Sequence, residues 1–283
     1  MKKVLMFFSV SILALFLAVG TASAVPFTNW SVSLDGGETH FNVPNYLTIG
    51  GQGYVENELV NENVYNFEEW AVFNTLANNL GTSFQDVFPN SQMTGTLTAE
   101  GQIVGQQLSF TSGHLDIYVN SPRVYGDQAD DFYGAAAGDH IAHFMLDSGS
   151  GFVNADLTPE GSYAAQFTAT MLEPGYFFDP YGNDLAMTDP ISLLFAVSNV
   201  TASYLQPDAN NDNWNMFISG LEQFAGLTDP QDNVPLSFFF ASTGEFTVGS
   251  DVVPVPEPAS MFLFGAGLLG LAAFGRKKMM KKD

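Results

Sequence analysis

The sequence predicts a mainly β protein whose exported domain is an antiparallel β-sandwich. Three observations carry this reading: runs that alternate apolar and polar residues with a period of two, Gly, Asn, Asp and Pro clusters between those runs, and 26 phenylalanines in 283 residues. Side chains of successive strand residues point to opposite faces, so alternation marks a half-buried strand. Turn residues break the runs because Gly, Asn and Asp tolerate left-handed backbone and Pro cannot continue a ladder. Large flat rings fill the gap between packed sheets.

The elements follow in order. Trp30, Val32 and Leu34 alternate near the start. In the run 113–120, Leu115, Ile117 and Val119 share one face while His114, Asp116 and Tyr118 share the other. Further strands are expected at 93–98, 103–110, 140–146, 163–171, 191–198, 200–205, 216–219, 236–241 and 245–248. Helical signal is sparse: Phe67, Trp70, Val72, Phe73 and Leu76 have the mixed spacing of one short helix within 66–80, and 220–226 reads as a single further turn. Gly149-Ser150-Gly151 reads as a turn. The chain has no repeat of fixed period, which argues against propellers and solenoids.

The two ends read as targeting segments. Lys2 and Lys3 precede an apolar run that stops at Gly20, and Ala22-Ser23-Ala24 follows as a small-residue cleavage site, so residues 1–24 form an export signal cut after Ala24. The acidic β-rich ectodomain occupies 25–250. Residues 251–258 form a Pro-rich linker, since closely spaced prolines hold neither a helix nor a central strand. Residues 259–275 carry no charge and, as a helix, span roughly 25 Å, close to a hydrocarbon core. Arg276, Lys277 and Lys278, with Lys281 and Lys282 beyond, make 276–283 a cytoplasmic tail and place the preceding domain outside.

Pro256-Glu257-Pro258, then a short apolar helix, then Arg276-Lys277-Lys278 resembles the tripartite sorting signal of PEP-CTERM proteins. The resemblance implies an exosortase as partner, an integral-membrane cysteine transpeptidase or protease that cuts near the Pro-Glu-Pro. It also implies a Gram-negative, exopolysaccharide-producing source and a transient inner-membrane anchor before the domain reaches the outer surface or extracellular matrix. The strand Gly113 to Val119, the acidic loop at Asp127 to Asp131 and Gly149-Ser150-Gly151 resemble, more distantly, the flocculation-associated members of that family.

Between Val25 and Ser260 there are 29 carboxylates and one cation, Arg123, a formal charge of −28. Salt bridges cannot organise such a domain. The same imbalance excludes nucleic acid as a partner, because no basic stripe exists to neutralise phosphates. Acidic polysaccharide is repelled unless divalent cations bridge it. The chain has no cysteine, which excludes disulfides, thiolate metal sites and a Cys nucleophile.

Ca²⁺ is the cofactor the composition suggests. Asp208, Asn210 and Asp212 carry the alternate-residue oxygen spacing of a cation-wrapping loop, although Asn213 and Ser219 stand where an EF-hand needs Gly and Glu; a solvated Asn/Asp turn is the competing reading. Asp127, Asp130 and Asp131 form a weaker second group. His140 and His143, three apart, would fall on opposite faces of a regular strand, and no His-Glu-x-x-His motif is present, so they read as ordinary strand residues; His40 and His114 read as surface or packing residues. Trp30, Trp70 and Trp214 are the candidates for stacking on a glycan, Trp214 foremost because it follows the acidic loop, with core packing as the competing reading for each. No Gly-x-Ser-x-Gly elbow or phosphate-binding Gly loop occurs, and no carboxylate pair is singled out for glycoside hydrolysis. The resemblance, taken with the acidic charge, therefore implies a non-enzymatic exported protein of aggregation, floc or biofilm formation, ahead of a carbohydrate-binding module and, third, a secreted hydrolase.

Overall fold

Alternation, interrupted at a few positions by an extra residue, builds twelve strands among the described residues: β1 (Val25–Pro26), β2 (Trp30–Val32), β3 (Phe41–Val43), β4 (Leu47–Asn61), β5 (Val64–Asn78), β6 (Gln92–Val104), β7 (Gln107–Asn120), β8 (Asp139–Val153), β9 (Gly161–Leu172), β10 (Phe177–Phe178), β11 (Ile191–Thr201) and β12 (Phe238–Ser250). Three helical segments accompany them, α1 (Phe84–Val87), α2 (Asp130–Tyr133) and α3 (Asp212–Ala225), with a 3-10 turn at Leu185–Met187. The computed structural model describes residues 25–153, 161–188, 191–201, 212–227 and 237–250. The segments expected as export signal, Pro-rich linker, apolar helix 259–275 and basic tail lie outside them. No helix among the described residues is long and apolar enough to cross a membrane.

The sheet is a closed barrel, not the expected sandwich. Strands β4 through β9, then β11 and β12, pair antiparallel in succession, and β12 returns to β4 from Phe238↔Val55 to Phe246↔Leu47. β1 extends the sheet at the end of β12, with Val25 opposite Ser250. A second, three-stranded sheet of order β10-β2-β3 joins the same hydrophobic core as the barrel interior, bringing Trp30, Val32, Phe41 and Phe177 with it.

Eight strands enclose a space that side chains alone can fill. Here phenylalanines fill it: Phe73 meets Phe195 at 5.7 Å, Phe67 meets Phe110 edge-on at 5.4 Å, and Phe167 meets Phe195 at 6.4 Å. Glycine is the complement of these rings. A Cβ on Gly95 would stand 2.2 Å from the Phe73 ring, and one on Gly101 would stand 2.4 Å from Phe67. Small inward residues beside large ones let the sheet curl tightly enough to close, which two flat packed sheets do not require.

Part of the outer face is also apolar. Tyr54 of β4, Trp70 and Val72 of β5 and Phe239 of β12 point outward and are covered by Phe217 and Leu221 of α3 together with Phe132 and Tyr133 of α2. Gly220 makes this approach possible, since a Cβ there would meet the Ala129 carbonyl oxygen at 2.6 Å. Asp131, Phe132 and Tyr133 all have positive φ (53°, 47° and 60°), an uncommon run for residues with side chains.

Several expected elements change. Residues 66–78 form part of β5 rather than a helix, with a turn at 79–80: Phe67, Glu69, Ala71 and Phe73 face inward while Trp70 and Val72 are buried under α3, so both faces are largely apolar and the alternation is hidden. Met216 to Ser219 belong to α3, not to a strand, and the turn expected at 220–226 is the end of that helix. Gly149-Ser150-Gly151 lies inside β8. The run 103–110 is two strands joined at Gly105 and Gln106, and 236–241 with 245–248 is continuous from Phe238. β4 had no counterpart among the expected strands.

The Phe/Gly packing has a measurable consequence. Phe73→Ala should lower unfolding free energy by about 3–5 kcal/mol, and Gly95→Val by about 1–3 kcal/mol through overpacking. Urea denaturation would check both, and Phe73→Leu combined with Gly95→Ala should cost less than the two separate changes together.

Candidate metal centre

Asp116 stands outward on β7 between the inward residues Leu115 and Ile117. Opposite it on β8 is His143, and opposite Tyr118 is His140. The pairing passes from Tyr118↔His140 to Ile117↔Ala142, so Ile141 is an extra residue in β8. Ile141 and Ala142 are both fully buried in the core. Such a bulge resets the alternation. It returns both histidines to the outer face, correcting the expectation that they point apart.

The result is a convergent group. His140 Nε2 lies 2.7 Å and His143 Nδ1 2.6 Å from the same Asp116 oxygen, Oδ1. His114 Nε2 is 3.7 Å from Oδ2, and the His114 and His143 rings are 5.6 Å apart. The Asp116 side chain is 11% exposed, while the three imidazoles are 30–38% exposed. Tyr118 stacks on His140 at 4.9 Å, and its hydroxyl pKa is raised by burial and by the Asp116 charge. Asp116, His140 and His143 are the one group of three His or acidic side chains among the described residues whose ligand atoms converge, all within 4.8 Å of one another. The signal that could have found it is the bulge, which shows only in the cross-strand register.

The remaining candidates fare differently. Asp208 and Asn210 lie outside the described residues; the backbone of Asp212 and Trp214 lies in the first turn of α3. Asp127, Asp130 and Asp131 do not converge as ligands. Trp30 is fully buried and Trp70 is 7% exposed, so both are packing residues. His40 is separate, hydrogen-bonded to Ser31 at 3.1 Å and set edge-on to Phe178. Ala22, Ala24, Pro256, Glu257, Pro258, Arg276, Lys277 and Lys278 lie outside the described residues.

Two further acidic features appear that no motif announced. Glu56, Glu68 and Glu100 stand directly opposite one another across β4, β5 and β6. The Glu68 carboxyl pKa is raised by burial and by the charges of Glu100, Glu56 and Glu58. Glu56, Glu58 and Glu68 also line an open hollow of about 440 Å³ with Asn57, Asn66, Phe67 and Ser237. Inside the barrel, Glu69 is 3% exposed and accepts a hydrogen bond from the Tyr163 hydroxyl at 3.0 Å.

Residues 254–278 match the family model of the PEP-CTERM protein-sorting motif. The chain thus carries a PEP-CTERM protein-sorting motif. The motif marks it as an exported protein processed by exosortase, a membrane-associated enzyme. No curated protein and no solved structure matches the chain.

Burial makes Glu69 a pH-sensitive element of the barrel. Desolvation pushes its pKa from 4.5 up to about 7, against the opposing hydrogen bond from Tyr163. The folded state therefore holds a proton that the unfolded state has released, and stability falls as pH rises between 4.5 and 7. That displacement corresponds to about 3 kcal/mol. Glu69→Gln should flatten this part of the stability profile and exceed the wild type above pH 7, as measured by urea unfolding at a series of pH values.

Proposed function

We propose that this exported barrel acts at the outer cell surface or in the extracellular matrix as a non-catalytic component of exopolysaccharide-associated aggregation, floc or biofilm formation. The observation that carries the reading is the sorting motif joined to a domain, residues 25–250, with 27 carboxylates and one arginine. Export and exosortase processing bring such a polyanion to the place where acidic polysaccharide is found. Like charge then keeps the two apart unless a divalent cation lies between them. The facing carboxylates of Glu56, Glu68 and Glu100 support this mechanism, because like charges directly opposite on a sheet repel and are relieved by a shared cation.

The packed barrel supports an outward-acting role. Its interior is occupied by the protein's own phenylalanines, so recognition falls to the outer surface and the connections. A carbohydrate-binding module working through Trp214 would act from the same surface but would not need divalent cations.

Two experiments test the reading. Replacing Pro256, Glu257 and Pro258 by alanine should leave the chain unprocessed in the membrane fraction, by immunoblot, while wild type is cleaved near Pro258; equal processing of both would sink the exosortase step. Full-length chain mixed with acidic polysaccharide should co-sediment in Ca²⁺ and separate in EDTA. Binding that is equal in both, and is lost in Trp214→Ala, would instead establish the glycan-stacking alternative.

A further inference from the structure

We propose that Asp116, His140, His143 and His114 form a binding site for a divalent first-row transition ion of the Zn²⁺ type on the outer face of β7 and β8. The proposal stands apart from the surface role above, and neither depends on the other.

Geometry is the first support. Zn²⁺ takes imidazole nitrogen at ~2.0–2.1 Å and carboxylate oxygen at ~2.0–2.2 Å in a tetrahedron, so adjacent ligand atoms lie roughly 3.3 Å apart. His140 Nε2 and His143 Nδ1 now sit 2.7 and 2.6 Å from Asp116 Oδ1, while His114 Nε2 sits 3.7 Å from Oδ2. The first two separations must open and the third close, each by less than about 1 Å, to fit those ligand spacings. Imidazoles that are 30–38% exposed have room for such rotation. Asp116 lies between the buried residues Leu115 and Ile117 on β7, with His114 on the same strand and His140 and His143 on the paired β8.

Donor chemistry sets the class of ion. Three nitrogens and one carboxylate suit Zn²⁺, Cu²⁺ or Ni²⁺, whereas Ca²⁺ and Mg²⁺ seek oxygen alone. The hydrogen bonds to Asp116 hold His140 protonated on Nε2 and His143 on Nδ1. Ligation uses those same nitrogens, so the proton on each must leave that nitrogen and the metal replaces two N–H donors to the carboxylate. A domain of formal charge −26 concentrates divalent cations near its surface, which favours capture.

The test exploits the chain's four histidines. On titrating full-length protein with Zn²⁺ in mild detergent, the imidazole resonances of His114, His140 and His143 should shift together while that of His40 stays fixed; Ca²⁺ at equal concentration should move none of them. Calorimetry should find one site per chain that is tighter than the carboxylate background. His140→Ala with His143→Ala should weaken it at least about 100-fold, since loss of an outer-shell partner alone costs about 10–100-fold. His140 and His143 resonances that ignore Zn²⁺, or a variant that binds as tightly as wild type, would overturn the proposal. The resonance experiment needs no variant, so a misfolded double mutant would not remove the test.

Discussion

When β12 exchanges hydrogen bonds with β11 along one edge and with β4 along the other, each of the eight barrel strands has a neighbour on both sides. Each of these backbone bonds contributes only about 0.5–1.5 kcal/mol net, but an unpaired edge would also offer a template for association. Closure matters more here than in an ordinary domain, because charge cannot contribute cohesion. With one arginine against 27 carboxylates in residues 25–250, electrostatics opposes compaction throughout the domain. Cohesion therefore comes from the ladder and from the aromatic interior it encloses, where Phe73 and Phe195 meet across the barrel and Gly95 leaves room for the Phe73 ring.

The closed, filled interior also decides where chemistry can occur. Phenylalanine rings occupy the volume that a wider or emptier barrel would offer a ligand. Reactive and charged groups are consequently displayed outward, and the outer face is divided. One sector is sealed by α3 over Tyr54, Trp70, Val72 and Phe239. A second carries the facing carboxylates of Glu56, Glu68 and Glu100, and a third the histidines around Asp116. The sealed sector needs the close approach at Gly220 and the left-handed backbone of Asp131 to Tyr133, so its local strain is balanced by the burial of Phe132, Phe217 and Leu221.

Local pattern was legible where one face met the core and the other met water. Leu115, Ile117 and Val119 alternate in the sequence and in the barrel alike. Pattern failed where both faces are covered: in β5, Trp70 and Val72 are buried beneath α3 and the period-two signal disappears. It failed again in β4, which was not expected as a strand and where Gly51 and Gly53 serve as the thin wall against which Phe73 and Phe240 pack. Barrel and sandwich present the same alternation, and only the pairing of Leu47 with Phe246, far apart in the chain, separates them. The histidine cluster was hidden for a related reason. Parity arguments assume an uninterrupted strand, and Ile141 breaks that assumption between His140 and His143.

Two carboxylates among the described residues are buried, Asp116 at 8% and Glu69 at 3% exposure, and in a chain with a single arginine neither is matched to a lysine or arginine. A buried carboxylate without compensation is costly, so each must find another solution. Glu69, enclosed by the barrel, has the Tyr163 hydroxyl as a donor, and burial pushes its pKa to about 7, so that it keeps its proton well above the usual carboxylate range. Asp116, at the outer surface, is hydrogen-bonded by two imidazoles instead. That second solution requires His140 and His143 on one face, which a regular strand forbids and the extra residue Ile141 permits; burying the Ile141 side chain contributes about 1.5–3 kcal/mol toward the disrupted ladder. The same scarcity of cations that leaves Asp116 without a lysine or arginine thus assembles nitrogen donors around one carboxylate, and an arrangement that satisfies a buried acid is also one that can hold a metal.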